Sequence, residues 1–432
     1  MENITRVFNL SDCKYYDPEE DPIIQCYKSD EHLLSSIYEY ITPTPHEWVF
    51  TVLYALVFVF GITGNFLVCY AVWRNHQLRT TTNFFLVNLA VADFLVMMFC
   101  LPPSYAQTLF ETWFLGLAMC KTIEYYQTVC VIVSILTLTA ISIERWFAIC
   151  HPLSFKETKT RVIMALISIW LTAQLAAIPR LFIMTENNDP MIPRNLTVLL
   201  TSCSPVPEMK TFAFHYELFV FVTFYILPII AMGYTYAKIA LCLWSSMKAG
   251  QLTEGSQNAV ASQVRARRRI AKMLIVVVVV FILCFLPVYA WNIIRMSIHN
   301  MDDYLGATTI SILTLTGHWL VYFNSAINPI IYNFMSGKFR KEFRTACACW
   351  LPSCGRRGKS SYTNHELEPL SSKRYVASFG VFQINIVTSL FLKQKWIRGQ
   401  ANSYVQVGMI MTIPGTVSVV LLKTLIPTNI SQ

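Results

Sequence analysis

Asp93 is a lone carboxylate inside an apolar stretch, and Asn65, Ser134, Asn324 and Asn328 recur at similar depths in other apolar stretches. A carboxylate surrounded by amide and hydroxyl oxygens can hold a small hard cation, and an unpaired buried carboxylate is costly enough to invite one. A sodium ion at Asp93, Ser134, Asn324 and Asn328 is therefore one expectation; polar groups that merely join helices are the other. Glu144, Arg145 and Trp146 place an acid beside a base at the end of a further stretch, where the two can pair. Read alone, Arg145 is equally an ordinary snorkelling arginine. His318 has no second histidine near it in the apolar segments, so it does not point to a catalytic metal. Thirteen cysteines are scattered without paired Cys-x-x-Cys spacing, and most read as buried thiols. Nothing here assembles a reaction centre, and no cofactor beyond that sodium ion is expected.

The elements that must hold these groups are membrane helices. Of 432 residues 54% are hydrophobic and 14% charged, and Val49 to Val72, Ile163 to Ile178 and Met273 to Ala290 run without a charge. A bilayer core needs about 20 apolar residues per helix, and open sheets would leave unpaired edges in lipid. The runs predict an all-α membrane protein with seven spans, at 48–73, 83–103, 118–149, 162–182, 214–243, 270–297 and 306–334. The third carries Glu124, Gln127 and several hydroxyls, so it is read as the least hydrophobic and as the one inside the bundle. Pro228, Pro287 and Pro329 are expected to kink spans five, six and seven.

The net charge of +9 would suggest nucleic acid in a soluble chain, but here the cations cluster beside spans. Arg74 and Arg79, then Lys156, Lys159 and Arg161, then Lys248 and Arg265 to Arg269 mark alternate loops as cytoplasmic. The amino terminus is then outside, at the plasma membrane. Residues 1–47 are polar and acidic with no apolar core of a cleavable signal, so the first span is expected to act as its own signal. Sequons at Asn3, Asn9 and Asn195 fall on the outer side. Cys120 and Cys203 both face that oxidising side, where a disulfide would tie a loop to the bundle. Residues 30–41 place Leu33, Leu34, Ile37, Tyr38 and Ile41 on one helical face with Ser29 or Asp30 as cap, predicting a short helix. On the inner side, residues 335–349 suit a surface helix with Cys347 and Cys349 as palmitoylation sites on the membrane lipid. Residues 350–432 read as a cytoplasmic tail without a fixed fold, with Ser360, Ser361 and Ser371 open to phosphorylation and arrestin. Within it, 407–427 is apolar enough to imitate an eighth span.

Gly64-Asn65, Asn88-Leu-Ala-Val-Ala-Asp93, Cys120, Glu144-Arg-Trp146, Trp170, Pro228 with Tyr236, Phe281 with Cys284-Phe-Leu-Pro287, and Asn328-Pro-Ile-Ile-Tyr332 occur in that order on seven spans. Together they resemble the rhodopsin-like class of G-protein-coupled receptors over residues 30 to 350. Within it the chain looks closest to orexin receptors and the insect allatotropin receptors. That likeness rests on His318-Trp-Leu-Val-Tyr322 with its continuation to Phe339, on Gln127, Thr128 and Val131, and on Trp146. Glu144 departs from the usual Asp, and Phe285, Arg180 and Glu217 stand where orexin receptors have Tyr, Gln and His, so the pocket wall is altered in charge.

The resemblance implies a short amidated neuropeptide, allatotropin-like or orexin-like, entering from outside. Its amidated end would meet Gln127, Asn292, His318 and Tyr322, beside Thr128, Val131 and Arg180, while Glu124 and Glu217 would receive a basic side chain. The helix at 30–41 would contribute to peptide binding, or else lie on the bilayer as a linker. Activation would repack Phe281 and Phe285, swing span six at Pro287, engage Tyr236, Asn328, Pro329 and Tyr332, and release Arg145 from Glu144 to a heterotrimeric G protein of the calcium-mobilising type. A transporter is the rival class, yet the two halves show no repeat. A retinal-linked light receptor needs a lysine in span seven, and 306–334 has none.

Overall fold

The computed structural model describes residues 29–151, 158–188, 197–250, 257–298, 305–350, 409–413 and 416–420. Span one is Pro45–Arg74, span two Thr81–Phe110, span three Gly116–Cys150 and span four Lys159–Ile183. Span five runs from Lys210 to Gly250 through a π-helical turn at Val222–Ile226, span six is Gln257–Ser297 and span seven Ala307–Met335. Among the described residues the first six are long and apolar enough to cross a membrane by composition alone. Span seven is not, which corrects the expectation that span three is the most polar. His318, Asn324, Asn328 and Asn333 lower its hydropathy, and its Asn324, Asn328 and Tyr332 turn into the bundle. Among the first six, span three is the most enclosed, with 61% of its apolar stretch buried.

Prolines bend this bundle in two ways. A proline inside a helix has no N–H and its ring collides with the carbonyl four residues back. For Pro102 and Pro103 those carbonyls belong to Met98 and Phe99, within a π-helical turn at Val96–Cys100. For Pro228 the carbonyl is that of Phe224, within the turn at Val222–Ile226. The widened turns absorb the rings, which is why span two runs on to Phe110 rather than ending at 103. Pro287 and Pro329 instead sit inside unbroken helices. The Ser325 carbonyl that Pro329 cannot reach accepts a bond from Asn65 Nδ2 of span one at 2.9 Å. Tyr225 donates to the Ile282 carbonyl, one turn before Pro287, at 2.9 Å. Asn88 donates to Thr137 and accepts from Trp170, both at 2.8 Å, and so links spans two, three and four.

One end of the bundle carries the amino-terminal helix and a β-hairpin. The helix, Asp30–Tyr40, is capped by the Ser29 hydroxyl, which accepts from the His32 N–H at 3.2 Å. Leu33 and Ile37 pack on Leu199 and Leu200, with Ile41 beside them. Tyr38 is 54% exposed, so the apolar face is narrower than the periodicity predicts. Strands β1 (Met184–Asn187) and β2 (Ser202–Pro205) pair antiparallel with Glu186 opposite Cys203. A disulfide joins Cys203 to Cys120 of span three across 83 residues of sequence. Closing so long a loop removes unfolded-state freedom worth about 2–4 kcal/mol. Dithiothreitol is therefore expected to lower the melting temperature of the wild-type protein to that of the Cys120→Ser/Cys203→Ser variant. The variant itself should be insensitive to reductant; a drop of equal size in both would trace the effect elsewhere.

At the opposite end, a helix at Gly337–Trp350 seats Phe339 against Tyr332, and Phe343 against Phe339. Asn75, after span one, donates to Glu342 at 2.9 Å. Cys347 and Cys349 belong to this helix, while Asn3, Asn9, Asn195, Lys156, Ser360, Ser361 and Ser371 lie outside the described residues. The segment from Ser361 on forms a separate unit. In it, β3 (Met409–Ile413) pairs antiparallel with β4 (Thr416–Val420), Ile413 opposite Thr416. At these positions the backbone is extended and paired rather than helical. The β-branched residues of 416–420 favour extended backbone.

Candidate functional site

A cavity of about 850 Å³ opens at the hairpin end and is walled by all seven spans. All nine sequence-derived pocket positions line it: Glu124, Gln127, Thr128 and Val131 from span three, Arg180 from span four, Glu217 from span five, Asn292 from span six, His318 and Tyr322 from span seven. Gln127 and Thr128 follow Glu124 by three and four residues and Val131 follows them by four and three, while Tyr322 follows His318 by four, which keeps each set on one helical face. The Tyr322 hydroxyl points to Gln127 Oε1 at 3.4 Å, across the bundle. Below, Phe285 contributes to the floor and stacks on Phe281 at 4.4 Å between ring centres.

The charged residues of the wall are arranged differently from the expectation. Arg180 contacts Glu217 directly, donates through Nε to the Thr128 hydroxyl at 3.3 Å, and lies 5.3 Å from the centre of the Tyr216 ring. Both charged side chains are largely buried. Glu217 is thus already engaged by the chain's own guanidinium, so a basic ligand group would have to displace Arg180 to reach it. Among the described residues Glu124 makes no ion pair.

Residues that sequence reasoning passed over complete the rim and wall. Glu47, Gln107, Glu111, Arg295 and Ser311 stand near the mouth, Ser311 in contact with His46, and Tyr289 and Thr314 line the wall. Burial, and then the neighbouring Glu47, hold the Glu111 carboxyl above the ordinary glutamate range, against the pull of Arg295. Helical periodicity extends to part of this set: Tyr289 is four residues from Phe285, Arg295 three from Asn292, and Thr314 four from His318. Glu111 ends span two with a left-handed φ of 45°, and no periodic signal reaches it.

At the opposite end Glu144 and Arg145 are paired at 3.0 Å, and Glu144 also accepts from Thr82 of span two at 3.3 Å. Trp146 packs on Phe147 and Tyr234. Ser142 donates to the Tyr236 hydroxyl at 3.0 Å, tying span five to span three. Midway, Asn328 Nδ2 donates to Asp93 Oδ2 at 2.8 Å, with Ser134 and Asn324 buried as well. The Oδ1 atoms of Asn65, Asn324 and Asn328 and the Tyr332 hydroxyl are buried with no hydrogen-bond partner among the described residues. Asp93 with this oxygen-rich set suits a hard cation better than a thiol- or imidazole-seeking metal.

A membrane bundle with a deep cavity at one end and a closed charge pair at the other fits a receptor better than an enzyme. The family of 7 transmembrane receptors (rhodopsin family) matches residues 64–332, and the chain belongs to it. It is therefore a multi-pass membrane receptor and not an enzyme. It is similar to the RYamide receptor of Drosophila melanogaster, 32% identical over 292 residues, which are 67% of this chain and 61% of the fly protein. It is also similar to the QRFP-like peptide receptor of Branchiostoma floridae, 32% identical over 303 residues, 69% of this chain and 77% of the other. The chain thus spans less than two thirds of the fly receptor's length.

Proposed function

We propose that the hairpin end faces outward at the plasma membrane, and that the chain is a receptor for a short peptide with an amidated carboxyl terminus. The observation that carries this is the convergence of Gln127, Asn292, His318 and Tyr322 on one cavity in which Arg180 is held by Glu217. A terminal carboxamide offers two donors and an acceptor, the complement of a glutamine or asparagine side chain. A free carboxylate would call for a cation, and Arg180 is engaged by Glu217, which leaves Arg295 nearer the mouth. Of the two similar proteins, one is named a peptide receptor and the other a receptor for an amide.

Within this class the departures from orexin receptors at Glu144, Phe285, Arg180 and Glu217 favour the allatotropin branch over the orexin one. On the inner side the receptor hands the signal to a heterotrimeric G protein that mobilises calcium, by opening the Glu144–Arg145 pair as span six tilts at Pro287. A sodium ion at Asp93, Ser134, Asn324 and Asn328 would stabilise the closed arrangement. Glycans at Asn3, Asn9 and Asn195, palmitate at Cys347 and Cys349, and arrestin on the phosphorylated tail belong to the same reading.

A calcium-mobilisation assay with allatotropin-like, orexin-like and RYamide-like peptides, each as amide and as free acid, tests it. Amides are expected to be at least about tenfold more potent than acids, one hydrogen-bonded contact being worth about 1.4 kcal/mol at this scale. Gln127→Ala and Asn292→Ala should each cost a similar factor at equal surface expression. Equal potency of amide and acid would sink the assignment of the terminus. Silence to all six peptides at verified surface expression would remove the peptide class.

A further inference from the structure

We propose that Trp291 is a positioning residue for the ligand site: its indole clamps the outer half of span six to span seven and so fixes the direction in which Asn292 meets the ligand. The proposal rests on the reading of Asn292 as a contact for a terminal carboxamide. Trp291 is not among the residues that line the cavity, so it acts on a ligand only through its neighbour.

Span six needs a brace above Pro287. Without an N–H, Pro287 cannot bond the Leu283 carbonyl, and the residues beyond it are coupled less firmly to the rest of their helix. The bond from Tyr225 to the Ile282 carbonyl holds the helix only below that break. From Val288 onward the course of span six is set by what it packs against, and contacts with span seven supply the brace. Trp291 Nε1 donates to the Thr314 hydroxyl at 2.9 Å. One turn deeper, a Cβ on Gly317 would meet the Val288 Cα at 3.5 Å, so the two backbones run close there. Span seven is held in turn from its far side, where Tyr54 of span one donates to the Leu315 carbonyl at 3.1 Å.

Helical geometry makes this clamp directional. Successive residues lie about 100° apart around an α-helix, so an indole fixed toward span seven leaves Asn292 turned to the cavity, with Phe285, Val288, Tyr289 and Arg295. Trp291 is only 8% exposed. A buried N–H that loses its acceptor is strongly disfavoured, and a ring so enclosed has little room to change rotamer. The strain passes to the backbone that carries Asn292. Thr314 stands one turn before His318 on the same face of span seven, so the same bond sets the register between Asn292 and His318.

The test compares amide and free-acid forms of the allatotropin-like, orexin-like and RYamide-like peptides by calcium mobilisation at equal surface expression. Trp291→Phe keeps an aromatic ring and removes the donor. Thr314→Val keeps the shape, removes the acceptor, and serves alone if the phenylalanine form does not fold. Each is expected to reduce the amide-over-acid potency ratio at least about threefold, the lower end of what one hydrogen bond supplies. Thr314→Ser retains the acceptor and should keep the ratio within about twofold of wild type. In an Asn292→Ala background neither change should move the ratio further. A purely structural role would weaken amide and acid alike and leave the ratio untouched.

A second measurement needs no ligand. On the detergent-solubilised full chain, with the signal of the native thiols subtracted, the Asn292→Cys thiol is expected to react with a polar maleimide at least about threefold more slowly once Thr314→Val is added, because access falls as the side chain turns from the cavity. An unchanged labelling rate overturns the proposal. So does an unchanged ratio where the wild type prefers the amide, or a fall in the ratio that persists at full size without Asn292. Absence of an amide preference in the wild type, or silence to every peptide, would fail the amide reading alone, and the labelling rate then decides for Trp291.

Discussion

Arg180→Gln is expected to lower the apparent melting temperature more than any other single change in the cavity, and Glu217→Gln to lower it less. Removing one partner of a buried ion pair leaves the other charge without compensation, at about 3–5 kcal/mol. The two deletions are not symmetric, because Glu124 shares the same part of the wall. Without Arg180, Glu217 and Glu124 are two like charges in one poorly solvated space. Without Glu217, Arg180 can still turn to Glu124, so about half that cost is expected. The double variant leaves only Glu124 charged and should melt above Arg180→Gln. In a double-mutant cycle this is a favourable coupling of about 2 kcal/mol or more. Additive losses would mean that the contact contributes nothing; a larger loss for Glu217→Gln would mean that Glu124 does not share the field of Arg180.

That pair marks the limit of what the sequence makes legible. Arg180 and Glu217 are 37 residues apart on different spans, and each looked like an independent change in the charge of the wall. Whether they meet depends on the rotation of two helices, which one chain's periodicity does not specify. Within a single span the reading goes further. Glu124, Gln127, Thr128 and Val131 share a face by spacing alone, and the structure turns that face to the cavity. Six spans carry a strong apolar signal, whereas the seventh is legible as a weaker run at 306–334, because the polar groups it turns inward lower its hydropathy. The π-helical turns were written in Pro102, Pro103 and Pro228, but a proline equally signals a kink or an end, and only packing selects among these. Glu47 and Glu111 reach the rim because spans one and two bring them together there, and no motif encodes that. In the tail an apolar run of 407–427 answers to hydropathy alike as span or strands; the β-branched Thr416, Val417, Val419 and Val420 were the available clue.

Gly64→Ala is expected to be as damaging as a change deep in a soluble core, although it adds a single methyl group. A Cβ at Gly64 would sit 2.9 Å from Pro329 Cβ and 3.0 Å from its Cγ, a clash with a ring that cannot rotate away. Overpacking of this kind costs about 1–3 kcal/mol, and the only relief is for spans one and seven to separate. Separation also stretches the bond from Asn65 to the Ser325 carbonyl, which Pro329 leaves without its usual helical donor. Because the same helix carries His318 and Tyr322 above and Asn328 and Tyr332 below, displacement should weaken ligand binding along with thermal stability. Gly61→Ala provides the control one turn earlier on span one. Its added Cβ would also approach to 2.9 Å, but against the side chain of Met97, whose outer atoms can change rotamer. Gly64→Ala should therefore melt clearly below Gly61→Ala, with Gly64→Val lower still and largely absent from the cell surface. Equal melting of the two alanine variants would show that spans one and seven can part at Pro329 without loss, and that the Asn65 bond does not hold them.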